Sequence, residues 1–157
     1  MVRLKYVSSR EEYVAASEVF KEYAAWLNID LSFQKFEEEL GELSVMYGSP
    51  AGCIILAKDK DDYIGCIAVR KINTEIGEIK RMYVKPSSQQ LGTGTLMLNE
   101  AIAFAKKAGY KKLHLDTLSN MMPAITLYKK IGFYEIPAYY FNPEPTAVYF
   151  EKKIADN

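Results

Sequence analysis

The sequence predicts a mixed α/β (α+β) sheet built in a single domain, and three observations carry that prediction. The chain has 157 residues, the common size of one domain. Three strand-like segments follow one another in its middle, the first two joined by a short acidic turn that suits an antiparallel hairpin. Later strands alternate with helical segments, the order that crossover connections produce. No internal repeat and no linker-like stretch interrupts the chain, so residues 1–157 read as one domain.

Taken in order, Val2 to Val7 alternate apolar and polar residues and predict an opening strand. Ser9 followed by Glu12 is a capping-box signature, so a helix begins near Arg10. Along it Ala16, Phe20, Tyr23 and Leu27 recur at helical spacing and form one apolar face. Ser32 starts a second helix carrying Phe33, Phe36 and Leu40; Gly41 weakens its end, and Gly48-Ser49-Pro50 breaks the chain. Strands follow at Cys53 to Lys58 and Tyr63 to Lys71, around the turn Asp59-Lys60-Asp61-Asp62, and at Ile76 to Val84, ended by Pro86. Leu91, Thr95, Leu98, Ile102 and Ala105 predict a helix, with Gly109 suited to the position just past its end. Lys111 to Thr117 alternates as a strand, residues near Met121 to Lys130 form a helix stopped at Gly132, and Ala147 to Lys153 is the last strand.

Composition narrows the function classes. Hydrophobic residues at 49% supply a core and exclude intrinsic disorder. Twenty Lys plus Arg balance twenty Asp plus Glu, so no global basic field attracts nucleic acid or anionic lipid. Cys53 and Cys66 lie in apolar runs at a spacing that matches no zinc or redox pattern, and with one histidine in the chain no metal is expected. They read as buried free thiols in a reducing cytoplasm. The N-terminal residues show no signal-peptide core, and no apolar stretch approaches the ~18 residues of a membrane span.

The chemistry concentrates in Gln89-Gln90-Leu91-Gly92-Thr93-Gly94-Thr95, between a strand and a helix. Two glycines at i and i+2 let backbone N–H groups converge on an anion at a helix N-terminus, whose dipole adds about half a positive charge. No Gly-Lys-Ser/Thr follows, so this is no P-loop, and Met97 replaces the third glycine of a dinucleotide fingerprint. On its own the pattern also describes a tight loop that merely needs flexible residues.

Its surroundings add to it. Glu78-Ile79-Lys80-Arg81-Met82-Tyr83-Val84 precedes the loop, and Leu127-Tyr128-Lys129-Lys130-Ile131-Gly132-Phe133 follows. With Gln89, Gly92 and Gly94, these segments make the chain resemble the GNAT superfamily of N-acetyltransferases over about Tyr63 to Phe133. The resemblance implies the acyl-CoA N-acyltransferase fold: a mostly antiparallel sheet, helices on both faces, and a central V-shaped cleft where two strands splay. It implies acetyl-CoA as co-substrate, its pantetheine arm paired like an added strand with the main chain around Met82, Tyr83 and Val84. The pyrophosphate would rest on the amides of Gln90 to Thr95 (Gln90, Leu91, Gly92, Thr93, Gly94, Thr95) behind Gln89, with Asn120 and Tyr128 also at the cofactor. Relatives carry arginines where this chain has Gln89-Gln90-Leu91, so N–H groups and the dipole would carry the phosphates, with Lys85, Lys129 or Lys130 in reach of them.

By the same resemblance Tyr128 protonates the departing thiolate, a main-chain N–H near Met82 stabilises the oxyanion, and Glu78 or Asp116 is the base. Read as residues alone, Tyr128 is equally a core tyrosine, and either carboxylate is equally an ion-pair partner on a strand. Glu78 is the preferred base, because its side chain reaches one methylene further. The tyrosine-rich loop Pro137 to Pro143 (Tyr139, Tyr140 and Phe141) would roof the acceptor site, or staple itself down; Trp26 to Phe33 would form the opposite wall. His114 reads as a surface or sheet histidine. The implied activity is direct acetyl transfer from acetyl-CoA to a primary amine of a small molecule or a peptide N-terminus, without nucleic acid or membrane, in a monomer or homodimer. The alternative is a non-catalytic acyl-CoA-binding or sensing domain on the same scaffold; a nucleotide module of another kind ranks last.

Overall fold

The order of hydrophobic and capping signals becomes, in the computed structural model, a seven-stranded sheet flanked by five α-helices; residues 1–31, 35–89 and 91–155 are described. Strand β1 (Val2–Tyr6) leads into α1 (Arg10–Leu27), α2 (Phe36–Gly41) and α3 (Leu43–Met46). Then come β2 (Cys53–Asp59), β3 (Asp62–Lys71) and β4 (Ile76–Val84). After one 3₁₀ turn at Pro86–Ser88 follow α4 (Thr93–Lys107), β5 (Lys112–Leu118), α5 (Met122–Ile131), β6 (Tyr134–Ile136) and β7 (Ala147–Lys153). The spatial order is β1-β2-β3-β4-β5-β7-β6. Every neighbouring pair is antiparallel except β4 with β5.

Local chemistry sets the boundaries. The Ser9 hydroxyl accepts the Glu12 N–H at 3.1 Å while the Glu12 carboxylate accepts the N–H groups of Ser9 and Ser8 at 2.9 and 3.0 Å, so α1 begins on a complete capping box. The β2–β3 hairpin turns on Lys60–Asp61, with Lys60 in the left-handed region at φ 56°. Alternation along β2 then sends Ile54 and Leu56 to one face of the sheet and Cys53, Ile55 and Ala57 to the other. The first face packs on Ala16, Val19 and Phe20 of α1 with Phe36 and Leu43; the second packs on Met97, Leu98, Ala101 and Ile102 of α4 with Ile125 and Tyr128 of α5. Helices on both faces therefore follow from strands that are apolar on both.

The structure departs from the sequence pattern at several points. The second helix starts at Phe36, after Lys35 at φ 57°; Ser32 and Phe33 lie outside the described residues, as does Gln90. Helix α3 and the three-residue β6 are too short for a periodic pattern to reveal. Of the two readings of His114 the sheet one holds: it is 8% exposed on β5, its Nε2 2.9 Å from Glu151 of β7. Both cysteines are buried free thiols. Among the described residues no helix is long and apolar enough to cross a membrane.

Candidate active site

Strands β4 and β5 hold register over only three pairs, Ile76–Lys112, Gly77–Leu113 and Glu78–His114. Beyond them the strands part, and a cleft opens between Ile79–Met82 on one wall and Leu115–Leu118 on the other. The cause is visible in β4. Cys66 of β3 faces Tyr83 and Ala68 faces Lys80, so Arg81 and Met82 together oppose the single residue Ile67. This bulge carries Arg81 at φ 58°, and bulges bend the strand they sit in. Past it the Lys85 N–H donates to Ile64 at 2.8 Å, so strand alternation turns the main-chain groups of Met82 and Val84 away from β3, and Met82 lines the cleft.

The loop after β4 closes one end. Gly92 caps α4 at φ 78°, a backbone that side chains resist, and the first-turn amides of Thr93, Gly94 and Thr95 have no carbonyl one turn back. Gly94 also meets a packing need that its motif does not state. A Cβ there would lie 3.2 Å from Leu127 Cδ2 and 3.3 Å from Met82 Cε, so the missing side chain lets α4 press on α5 and on the cleft wall. Gln89 ties the loop to the strand, its side-chain amide donating to the Val84 carbonyl at 3.2 Å. Leu91 is exposed, and Asn120 stands exposed in the turn after β5, next to the cleft-lining Met121. Lys85 is ion-paired with Glu22 at 3.5 Å, and Lys129 and Lys130 are exposed in the last turn of α5.

Tyr128 lines the cleft from α5, and its hydroxyl donates to Met82 Sδ at 3.4 Å. Burial raises its pKa above the ordinary tyrosine value, so the phenol stays protonated. The two carboxylates occupy different places. Glu78, 4% exposed, sits at the last paired rung, where Tyr139 donates to it at 2.6 Å and Arg70 Nε lies 3.3 Å away. Asp116, two residues past that rung, lines the open cleft and accepts from the Tyr140 hydroxyl and from Asn142 Nδ2 at 3.2 Å. Burial, joined by the nearby carboxylates, also raises the pKa values of Tyr139 and Tyr140, keeping both as donors. The tyrosine loop therefore reaches down with hydroxyls onto the two carboxylates; Phe141 is 83% exposed.

The far side of the cleft is formed by Tyr23, Trp26 and Leu27 of α1 with Ile29 and Leu31 after it, facing Asn142 and Glu144. The Trp26 ring meets Tyr83 at a tilt, 5.4 Å between centroids. The motif reading omits Lys80, although it alternates with Glu78 on β4 and so shares its face. It is 9% exposed, lines the cleft, and burial lowers its pKa. Asn142 belongs to the loop expected to roof the site, whereas Glu144, just past it, carries no signal, because no periodicity marks a loop.

The Acetyltransferase (GNAT) family model matches residues 17–133. An uncharacterized N-acetyltransferase of Schizosaccharomyces pombe is 37% identical over 137 residues, covering 86% of this chain and 84% of that protein. A GNAT-family acetyltransferase structure from Staphylococcus aureus Mu50 superposes with a TM-score of 0.82 at 18% identity, covering 99% of this chain and 100% of that one. A GNAT-family acetyltransferase from Elizabethkingia anophelis with acetyl-CoA bound gives a TM-score of 0.66 at 20% identity over 97% of both chains.

Proposed function

This chain belongs to the GNAT family of acetyltransferases, and from that premise we propose that one domain spanning residues 1–157 moves the acetyl group of acetyl-CoA to a primary amine in the β4–β5 cleft. The observation that carries the reading is the parting of β4 from β5 after Glu78–His114, which leaves Met82 on the wall of a groove that Tyr128 also lines. The cleft fits the co-substrate: an extended, amide-bearing arm finds an unpaired strand edge, and a pyrophosphate finds the amides of Thr93 to Thr95 at the α4 N-terminus. When bound, acetyl-CoA supplies an activated thioester. Gln89 and Gly92 hold the loop that binds its phosphates, and Gly94 keeps α4 tight against Met82 and Leu127.

Each remaining task falls to a residue of this chain. The Met82 N–H would donate to the thioester oxygen, where charge develops. Asp116, fixed by Tyr140 and Asn142, accepts the proton of the incoming ammonium at its cleft-facing oxygen. Glu78 is the less suited of the two carboxylates, because Arg70 and Tyr139 already hold it at the closed end. The Tyr128 hydroxyl donates its proton to the departing sulfur, from the place where it now meets Met82 Sδ, and its phenolate takes back the second proton that the acylated nitrogen sheds. The acceptor is a primary amine of a small molecule or a peptide end bearing an apolar group. Trp26, Leu27, Ile29 and Leu31 take that group, and Asp116 and Glu144 draw the ammonium. Calorimetric titration with acetyl-CoA, followed by thiol release with a panel of alkylamines, arylalkylamines and short peptides, tests the reading. Binding with acceptor-dependent release is expected; absence of acetyl-CoA binding by the folded chain would overturn it.

A further inference from the structure

Two buried charges belong to no step above. Glu39 of α2 is 2% exposed and Arg81 of β4 is 5% exposed. They form a two-pronged pair, Arg81 Nε to Glu39 Oε2 at 2.9 Å and an Arg81 terminal nitrogen to Glu39 Oε1 at 2.7 Å. The Phe36 ring lies 5.2 Å from the guanidinium carbon, one turn before Glu39. A buried pair of this kind adds little net stability over well-packed apolar residues, because both ions must shed their water. Its yield is geometry: the planar guanidinium accepts a carboxylate in one orientation.

That geometry is fixed at the bulge. Arg81 has φ 58°, a left-handed backbone that a β-carbon disfavours, and such residues persist only where their surroundings over-determine them. Arg81 is held at both ends. Its side chain is gripped by Glu39, and its carbonyl accepts the Cys66 thiol at 3.0 Å, a thiol that burial keeps protonated. The next residue is Met82, which lines the cleft. We propose that Glu39 is a positioning residue for acetyl transfer: through Arg81 it locks the β4 bulge and so aims the Met82 N–H at the reacting carbonyl. The inference rests on the reading of Met82 as oxyanion donor. It also ties α2 to the donor side across 42 residues of sequence.

The test replaces the ions without leaving one unpaired. In E39M/R81M the charges go together, so folding survives while the lock is lost; in E39M/R81G the glycine accepts the left-handed backbone with no lock needed. Three quantities are read in each variant: the amide shifts of residues 80–84 by NMR, CoA affinity by calorimetry, and thiol release from acetyl-CoA with 2-phenylethylamine as the probe acceptor. For E39M/R81M the Met82 amide shift should move, CoA affinity should stay within about threefold, and kcat should fall about 10–100-fold, within the range a lost or misaimed oxyanion donor produces. E39M/R81G should recover most of that kcat. An unmoved Met82 amide in E39M/R81M would overturn the lock itself. A moved amide with unchanged kcat would overturn the oxyanion reading, and the positioning role with it. Equal losses in both double variants would also overturn the proposal, since the charges and not the backbone would then matter.

Discussion

Replacing Tyr128 with Phe removes one oxygen from the cleft and little else. The ring keeps its neighbours, Phe133 at 5.8 Å and Phe150 at 6.3 Å between centroids, and the residue is 5% exposed, so the packing hole stays filled. The lost hydrogen bond ends on Met82 Sδ at 3.4 Å. A thioether is a weak acceptor, and even an ordinary hydrogen bond is worth only about 0.5–1.5 kcal/mol net, so stability should fall by less than about 1 kcal/mol. The chemical cost is larger. A positioned proton donor contributes typically ~10²–10⁴-fold, and a hundredfold fall corresponds to about 2.7 kcal/mol of barrier. Because burial raises the Tyr128 pKa, wild type should show no basic limb from this group below about pH 10. Thiol release at saturating acetyl-CoA and amine, beside a thermal melt and a CoA titration, separates the two costs. Turnover within twofold of wild type, with unchanged melting and binding, would make Tyr128 a packing residue and refute the argument.

Asp116→Asn should lower kcat/KM by about 10²–10⁴-fold, whereas Glu78→Gln should keep most of it and lose about 1–3 kcal/mol in a denaturant melt, its Arg70 and Tyr139 partners being left mismatched; the reverse pattern would move the base to Glu78. Gly94→Val puts methyl groups against Leu127 and Met82 and should raise the CoA dissociation constant at least about tenfold, or about 1.4 kcal/mol, by calorimetry. The Ser9 and Ser8 N–H groups hold the Glu12 carboxyl at about 2, below its ordinary value near 4.5. A depressed carboxyl stabilises the fold above its unfolded value and loses that effect as pH falls. Wild-type Tm should therefore drop between about pH 5 and 2 more steeply than that of Glu12→Ala. Ser9→Ala should cost about 1 kcal/mol at neutral pH, measured in the same melts.

What the sequence determined by itself is what depends on neighbours a few residues apart. The capping box at Ser9 and Glu12, the alternation of Ile54 and Leu56 against Cys53 and Ile55, the helix through Leu98 and Ile102, and the turn at Gly92 all rest on local backbone preference or on a fixed period. The mixed sheet, and the motifs that mark the cleft, were legible for that reason. Tertiary structure decided the matters in which distant segments compete for one place. By side-chain reach Glu78 is preferred over Asp116; the register Glu78–His114 leaves Glu78 at the last paired rung and Asp116 on the cleft wall. The loop tyrosines read as a roof over the acceptor site or as a staple; that Tyr139 and Tyr140 bond carboxylates 61 and 24 residues away is settled only by the fold. Nothing local shows that Leu127 and Met82 press against Gly94, or that Glu39 meets Arg81. No local period encodes such meetings, because they form only when folding brings separate elements to contact distance and burial makes each unpaired charge or hydroxyl costly.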